Sequence, residues 1–260
     1  MLFRQEKALS PQLSLAVASR SEKGGRAQNE DSLLMRALEQ YAYCFAVADG
    51  LGGHQAGKQA SEIAVAAVAH RLANLEDQDI PALIAAGIHH AHHEIRRAAE
   101  TDLTLKGMKS TLLVLLIIGR SAYWGNVGDS RLYIFRDGKI LERTRDHSVV
   151  QLLVDSGEIS EADSKIHPDR NRIYQALGSD SDIHPTVKES GLPLLQGDHL
   201  LLCTDGFWQF FDEQKAIKLF MSNNITAKKK LNELFSESLR NAKLYDSKHD
   251  NITAQLVVVR

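Results

Sequence analysis

The sequence predicts an α+β protein built on antiparallel sheets, and three observations carry that expectation. Short apolar or β-branched runs come in groups, with helical stretches gathered between them instead of alternating strictly with them. Helical periodicity is confined to one region after Lys58 and another near the C-terminus. Tight-turn pairs punctuate the apolar runs, among them Asp137-Gly138, placed as a hairpin turn should be. At 260 residues, 43% hydrophobic and 25% charged, the chain can bury one large core. One domain over 1–260 is expected, since no repeat, low-complexity tract or Pro/Gly/Ser linker divides it.

In chain order, strands are expected at Leu13 to Val17, Ala42 to Ala48, Thr111 to Gly119, Ala122 to Val127, Arg131 to Phe135, Leu200 to Thr204 and Ile252 to Val259. A helix follows Lys58, where Ala60, Ile63, Ala64, Ala67 and Leu72 fall along one face. A second begins near Pro81, with Ile84, Ile88, Ala91 and Ile95 at four- and three-residue steps. Two more start around Asp212 and Thr226, the latter carrying Leu231, Leu234, Phe235 and Leu239. The stretch at about 148–178 has short helical signals, including Ser160-Glu161-Ala162-Asp163 as a capping-box variant, and reads as an excursion from the strand-rich body.

Composition narrows the function. A formal charge of -2, from 31 basic and 33 acidic residues, offers no field to hold nucleic acid or an anionic membrane. The N-terminal Met1-Leu2-Phe3-Arg4 stretch leads into no apolar signal region, and the longest strongly apolar run, Leu112 to Ile118, is too short to span a bilayer. A cytoplasmic protein is expected. Cys44 and Cys203 each sit inside an apolar run and read as reduced core thiols.

Four polar turns at strand ends hold acidic residues where a scaffold can fix them: Asp49-Gly50-Leu51-Gly52-Gly53-His54, Gly128-Asp129-Ser130, Thr204-Asp205-Gly206 and Asp250-Asn251. Carboxylates with a backbone carbonyl suit magnesium or manganese, which prefer hard oxygen donors; sulfur is too scarce there to favour zinc. One Asp-Gly pair alone signals only a turn. His89 and His93 stand one helical turn apart, but no matching ligand is identifiable, and the polar face of an amphipathic helix accounts for the histidines at 89, 90, 92 and 93.

Taken together, the ordered motifs from Arg26 to Asn251 resemble the type 2C protein phosphatases, the metal-dependent Ser/Thr phosphatase family, in its short bacterial branch. They are Arg26-Ala27-Gln28-Asn29-Glu30-Asp31, Asp49 to His54 with Gly57 and Ala60-Ser61, and Gly125 to Arg131. Asp146-His147-Ser148, His167-Pro168, Arg170-Asn171 and Ala176-Leu177-Gly178 follow, then Thr204-Asp205-Gly206 and Asp250-Asn251. The resemblance implies a four-layer α-β-β-α sandwich of two antiparallel sheets flanked by helices, with a flap at about 148–178. It implies hydrolysis of phosphoserine and phosphothreonine by water activated at two Mn2+ or Mg2+ ions, with a third, weaker ion beside them. By motif position Asp49 would bridge two ions, the Gly50 carbonyl would bind one, and Asp205 and Asp250 would complete the other; Asp129 would serve the third. Glu30, Asp31 and Asn251 would act behind the ligands, and Arg26 would clamp phosphate, its fork matching phosphate oxygens as a lysine cannot. The implied partners are phosphorylated proteins opposed to a Ser/Thr kinase, for a monomer acting in signalling.

The chain departs from the family pattern in three places. Leu51 stands where the animal branch has a histidine proposed as general acid, so leaving-group protonation is unassigned between His54 and water, and His54 equally suits a helix start. Lys109 replaces a usual glycine and Lys58 a usual acid; a solvated lysine is the expectation for both. The alternative class is a catalytically silent module that binds phosphoproteins, which would be expected to have lost Asp49, Asp205 or Asp250.

Overall fold

The computed structural model describes residues 13–38, 42–53, 55–73, 75, 79–222 and 224–260. In chain order the elements are β1 (Leu15–Glu22), β2 (Ser32–Leu38), β3 (Ala42–Ala48), β4 (Gly50–Leu51), α1 (Gln55–Arg71), α2 (Ile80–Thr101), β5 (Lys109–Ser110), β6 (Leu112–Ile118), β7 (Ser121–Val127), β8 (Arg131–Arg136) and β9 (Lys139–Arg143). Next come α3 (Val149–Asp155), α4 (Glu161–Ser164), β10 (Thr186–Val187), β11 (Leu192–Pro193), β12 (His199–Cys203), α5 (Asp205–Trp208), α6 (Glu213–Phe220), α7 (Ala227–Tyr245) and β13 (Ile252–Val259).

Two antiparallel sheets pack face to face, in strand orders β1-β13-β12-β8-β9 and β10-β7-β6-β3-β2, with β11 beside β7. The reason lies in alternation along the strands. In β3, Phe45 and Val47 face the opposite sheet, where Leu200, Leu202 and Val257 meet them. Cys44, Ala46 and Ala48 face outward onto α1 and α2. Both faces are covered, so β6 reads as an unbroken apolar run, Leu-Leu-Val-Leu-Leu-Ile-Ile. On the far side α5, α6 and α7 bury Phe207, Leu231, Leu234 and Phe235 against Leu201, Ala254 and Leu256. The four layers and the α+β class are therefore as expected.

Several boundaries moved. The first strand runs from Leu15 to Glu22, later than expected, because it pairs along its whole length with β13, Leu15 opposite Val259 and Glu22 opposite Ile252. The β8–β9 hairpin turns at Asp137 and Gly138, with φ of 50° and 72°, as a primed turn requires. Asp212 and Thr226 cap α6 and α7 through side-chain hydrogen bonds, and Ser160 with Asp163 forms the reciprocal capping box. His92 is not on a solvated helix face: it is buried and its Nδ1 accepts from the Gly178 amide. Burial lowers its pKa, with neighbouring His93 adding to the effect. Cys44 and Cys203 are both buried free thiols. Among the described residues no helix is long and apolar enough to cross a membrane.

The excursion is tied at its ends. Ser148 bridges Ile173, the Val149 amide donates to the Arg172 carbonyl, and the Tyr174 amide donates to the His147 carbonyl. Its helices α3 and α4 lie over a cleft of about 350 Å³ whose opposite wall comes from α5 and the segment after it.

Candidate functional site

The acidic residues stand on segments that only the completed sandwich brings together. Asp49 follows the last residue of β3, Asp31 precedes β2, Asp129 lies between β7 and β8, Asp205 opens α5, and Asp250 precedes β13. Backbone locks hold each in place. The Asp49 amide donates to Thr111 Oγ1 at 2.9 Å, while Ser110 Oγ and the Thr111 amide both donate to the Asp49 carbonyl at 2.9 Å. A side chain at Gly50 would put its Cβ 2.0 Å from the Gly57 carbonyl oxygen, so the start of α1 packs backbone to backbone on β4. At Gly128 a φ of 97° and a Cβ contact of 2.6 Å with Thr111 likewise demand glycine beside Asp129.

Behind the carboxylates lies a hydroxyl and amide network. Thr204 Oγ1 donates to Asp31 Oδ2 at 2.9 Å and accepts from the Thr253 amide at 3.1 Å. Gln209 Nε2 donates to Asp205 Oδ2 at 3.0 Å and to Asn171 Oδ1, in the excursion, at 3.1 Å. Trp208 Nε1 donates to the Asp129 carbonyl at 2.9 Å. Arg131 stacks on the Trp208 ring, 3.5 Å from its centroid, and grips Asp146 through Nε and Nη2 at 2.9 and 2.6 Å. Asn251 ties two loops together: its Oδ1 accepts from the Glu30 amide, and its Nδ2 donates to the Lys23 and Gln28 carbonyls.

The electrostatics are those of crowded anions. Burial lifts Asp31 to about 6, against the pull of the Thr204 hydroxyl, and lifts Asp129 to about 7 with Asp146 adding to it. Burial also holds Asp49 and Asp205 well above the usual carboxylate range. Asp49 is raised further by Asp31, Asp205, Asp250 and Asp129, and Asp205 by Asp129, Asp250 and Asp31. Among the described residues no three acidic, histidine or cysteine side chains close up into a ready ligand set; the carboxylates sense one another across the cluster. Asp31 Oδ1 and Asp205 Oδ1 are buried with no hydrogen-bond donor among the described residues. All-oxygen donors, like charge and unmatched buried oxygens are what a hard divalent cation satisfies, so the residues present fit one.

Other expected residues fall less simply. Arg26 is exposed and ion-paired to Asp250, its Nη2 2.7 Å from Oδ2. Asp205 is a buried helix-opening residue, not a solvated turn residue, because α5 begins there. Glu30 places its carboxylate against Gly57 in the first turn of α1, where any side chain at 57 would collide with it. Lys58 is not simply solvated: its Nζ donates to the Asp31 carbonyl at 2.9 Å and to Ser32 Oγ at 3.2 Å, bracing the chain behind Asp31. Lys109 pairs with Leu51 across β4 and β5. His54 lies outside the described residues.

The protein phosphatase 2C family model matches residues 19–250. The chain belongs to the protein phosphatase 2C family. Among the family's curated members it is 37% identical over 196 residues to the serine/threonine protein phosphatase PstP of Mycobacterium tuberculosis, an alignment covering 75% of this chain. The chain spans only 36% of that relative's length. It is 34% identical over 215 residues to the serine/threonine phosphatase stp of Listeria welshimeri, covering 81% of this chain and 82% of the relative. Among solved 2C phosphatases it superposes on the PstP catalytic domain in complex with two manganese ions with a TM-score of 0.80 and 30% identity, over 95% of this chain and 99% of that one.

Proposed function

We propose that the chain is a metal-dependent protein serine/threonine phosphatase, one domain with the excursion at 148–178 as its flap. The observation that carries this is the convergence of Asp31, Asp49, Asp129, Asp205 and Asp250, from five separate segments, into one cluster where burial and neighbouring carboxylates raise the proton affinity of Asp31, Asp49, Asp129 and Asp205. Asp49, the Gly50 carbonyl, Asp205 and Asp250 would hold a pair of manganese or magnesium ions, and Asp129 a third, weaker one. A relative's structure with two manganese ions supports the pairing. When bound, such cations supply positive charge to the phosphoryl group and make water at the site more acidic.

The chain's own residues do the rest. Asp31 sits behind Asp205, joined to it through the Thr204 turn, and accepts hydrogen bonds that fix it. Glu30 lies at the first turn of α1, where its charge meets the positive end of the helix. Asn251 holds the loop bearing Arg26 and Glu30 onto the final strand. Arg26, already at Asp250, has donors left over to fork onto phosphate oxygens. His54 and water remain the two alternatives for protonating the leaving group. The substrates would be phosphoproteins opposed to a Ser/Thr kinase, met by a monomer in the cytoplasm. Hydrolysis of p-nitrophenyl phosphate and of a phosphothreonine peptide is the test. Turnover is expected with manganese or magnesium and none with chelator; undiminished turnover in chelator overturns the reading.

A further inference from the structure

The flap does not lie flat on the body. The cleft beneath it, about 350 Å³, is the size of a small-molecule site and too small for a folded segment. Trp208, Phe210 and Tyr245 form an aromatic wall, and Val150 and Val154 face them from α3. The lining carries Arg131, Arg143, Lys165 and Arg170 against Asp146, Glu161 and Glu213, one positive charge in excess. Of these, Arg131 is matched by Asp146 and Arg143 by Glu161. Lys165 and Arg170 make no ion pair among the described residues. Arg170 instead sits over the Tyr245 ring, 5.6 Å from its centroid, and donates to its hydroxyl at 3.0 Å. Phe210 and Tyr245 are tilted by 53° to each other, so a flat ring can meet one by its face and the other by its edge, and the excess positive charge beside them favours a negative group on that ring.

We propose that this cleft is a second binding site, separate from the acidic cluster, for a small anion carried on a flat ring. Two of its wall residues reach the cluster directly: Gln209 holds Asp205, and Trp208 holds the backbone of Asp129. Gln209 also spans to Asn171 of the flap, so a ligand seated between flap and body fixes the side chain that orients Asp205. Occupancy therefore tightens cation binding at the cluster, and by linkage the cation tightens the ligand. The binding claim is independent of the phosphatase reading; the coupling claim rests on it.

A naphthalenesulfonate is a suitable probe, since it has the ring and the charge but no phosphoester. Titrated by calorimetry into the full chain without metal, it should bind saturably at a single site. The double substitution Lys165→Ala with Arg170→Ala should weaken binding by about tenfold or more, the loss of charge-assisted hydrogen bonds, while the melting temperature stays that of the wild type. Naphthalenemethanol, without the charge, and butanesulfonate, without the ring, should each bind far more weakly. No binding, or equal binding to the double variant, overturns the site. At saturating probe, manganese should bind a few-fold tighter to the wild type and unchanged to Gln209→Ala; equal manganese affinity with and without probe overturns the coupling. Failure of manganese to bind at all would remove the phosphatase reading and leave the cleft's own result standing.

Discussion

The acidic residues of the cluster are held by different neighbours, Asp31, Asp205 and Asp250 through their carboxylates and Asp49 and Asp129 through their backbone, so single substitutions should separate ligand from scaffold. Asp205→Asn keeps the shape and the Gln209 contact but removes the charge. It should lower turnover more than about 100-fold and weaken manganese binding in a calorimetric titration. Asp250→Asn should do the same and in addition release Arg26, raising KM. Wild-type rates in either variant at saturating manganese would take that residue out of the site. The same crowding reverses the ordinary pH trend of stability. Asp31 and Asp129 have folded pKa values of about 6 and about 7, raised chiefly by burial, against about 3.9 in the unfolded chain. Between those values the folded state retains protons that the unfolded chain has released. The advantage to folding is greatest below about pH 4 and is lost as the pH rises from there through 6 and 7. The melting temperature of chelated protein should fall from pH 5 to pH 8, and saturating manganese should flatten or invert that slope; a rising melting temperature in chelator would contradict the burial of these groups.

At the scale of elements, the flap is tied at His147–Val149 and Arg172–Tyr174, so shortening Val154 to Asp169 leaves both ties and the Asn171–Gln209 bond in place. Hydrolysis of a phosphoprotein should then suffer more than hydrolysis of p-nitrophenyl phosphate, measured as kcat/KM for each. Equal losses would make the flap a support of the cluster itself. The helices capped by Asp212 and Thr226 and the strands buried on both faces were legible in the sequence, because caps and unbroken apolar runs are local signals. The edge strand β2 was not. Its Ser-Leu-Leu-Met-Arg-Ala-Leu run leaves Met35, Arg36 and Ala37 exposed, and only pairing with β3 makes it a strand. Four-residue α5 is too short to carry a period, so Asp205 read as a turn residue. The acidic turns at Asp49, Asp129, Asp205 and Asp250 stood out as strand-end motifs, while Asp31 and the role of each residue came only from the family resemblance. Thr111, Trp208 and Gln209 were missed as site residues because their roles arise from segments far apart in sequence meeting in space.

For the whole molecule, the meeting of first and last strands is decisive. Asn251 joins the loop after β1 to the start of β13 through three hydrogen bonds, beside the Arg26–Asp250 ion pair and the Gly25 amide's bond to the His249 carbonyl. Asn251→Ala should cost roughly 2–4 kcal/mol, since each loss leaves a backbone group unpaired. Urea denaturation measures it, and a change within about 0.5 kcal/mol would mean that water replaces the side chain freely. The position of β13 has a further consequence for how the protein is made. It lies between β1 and β12, yet it is made after every other described strand. Until the ribosome has produced it, β1 has no neighbour in its sheet and Asp250 does not exist. A nascent chain can therefore carry every earlier motif while the acidic cluster is still incomplete, waiting for a strand made later to fill the middle of the sheet.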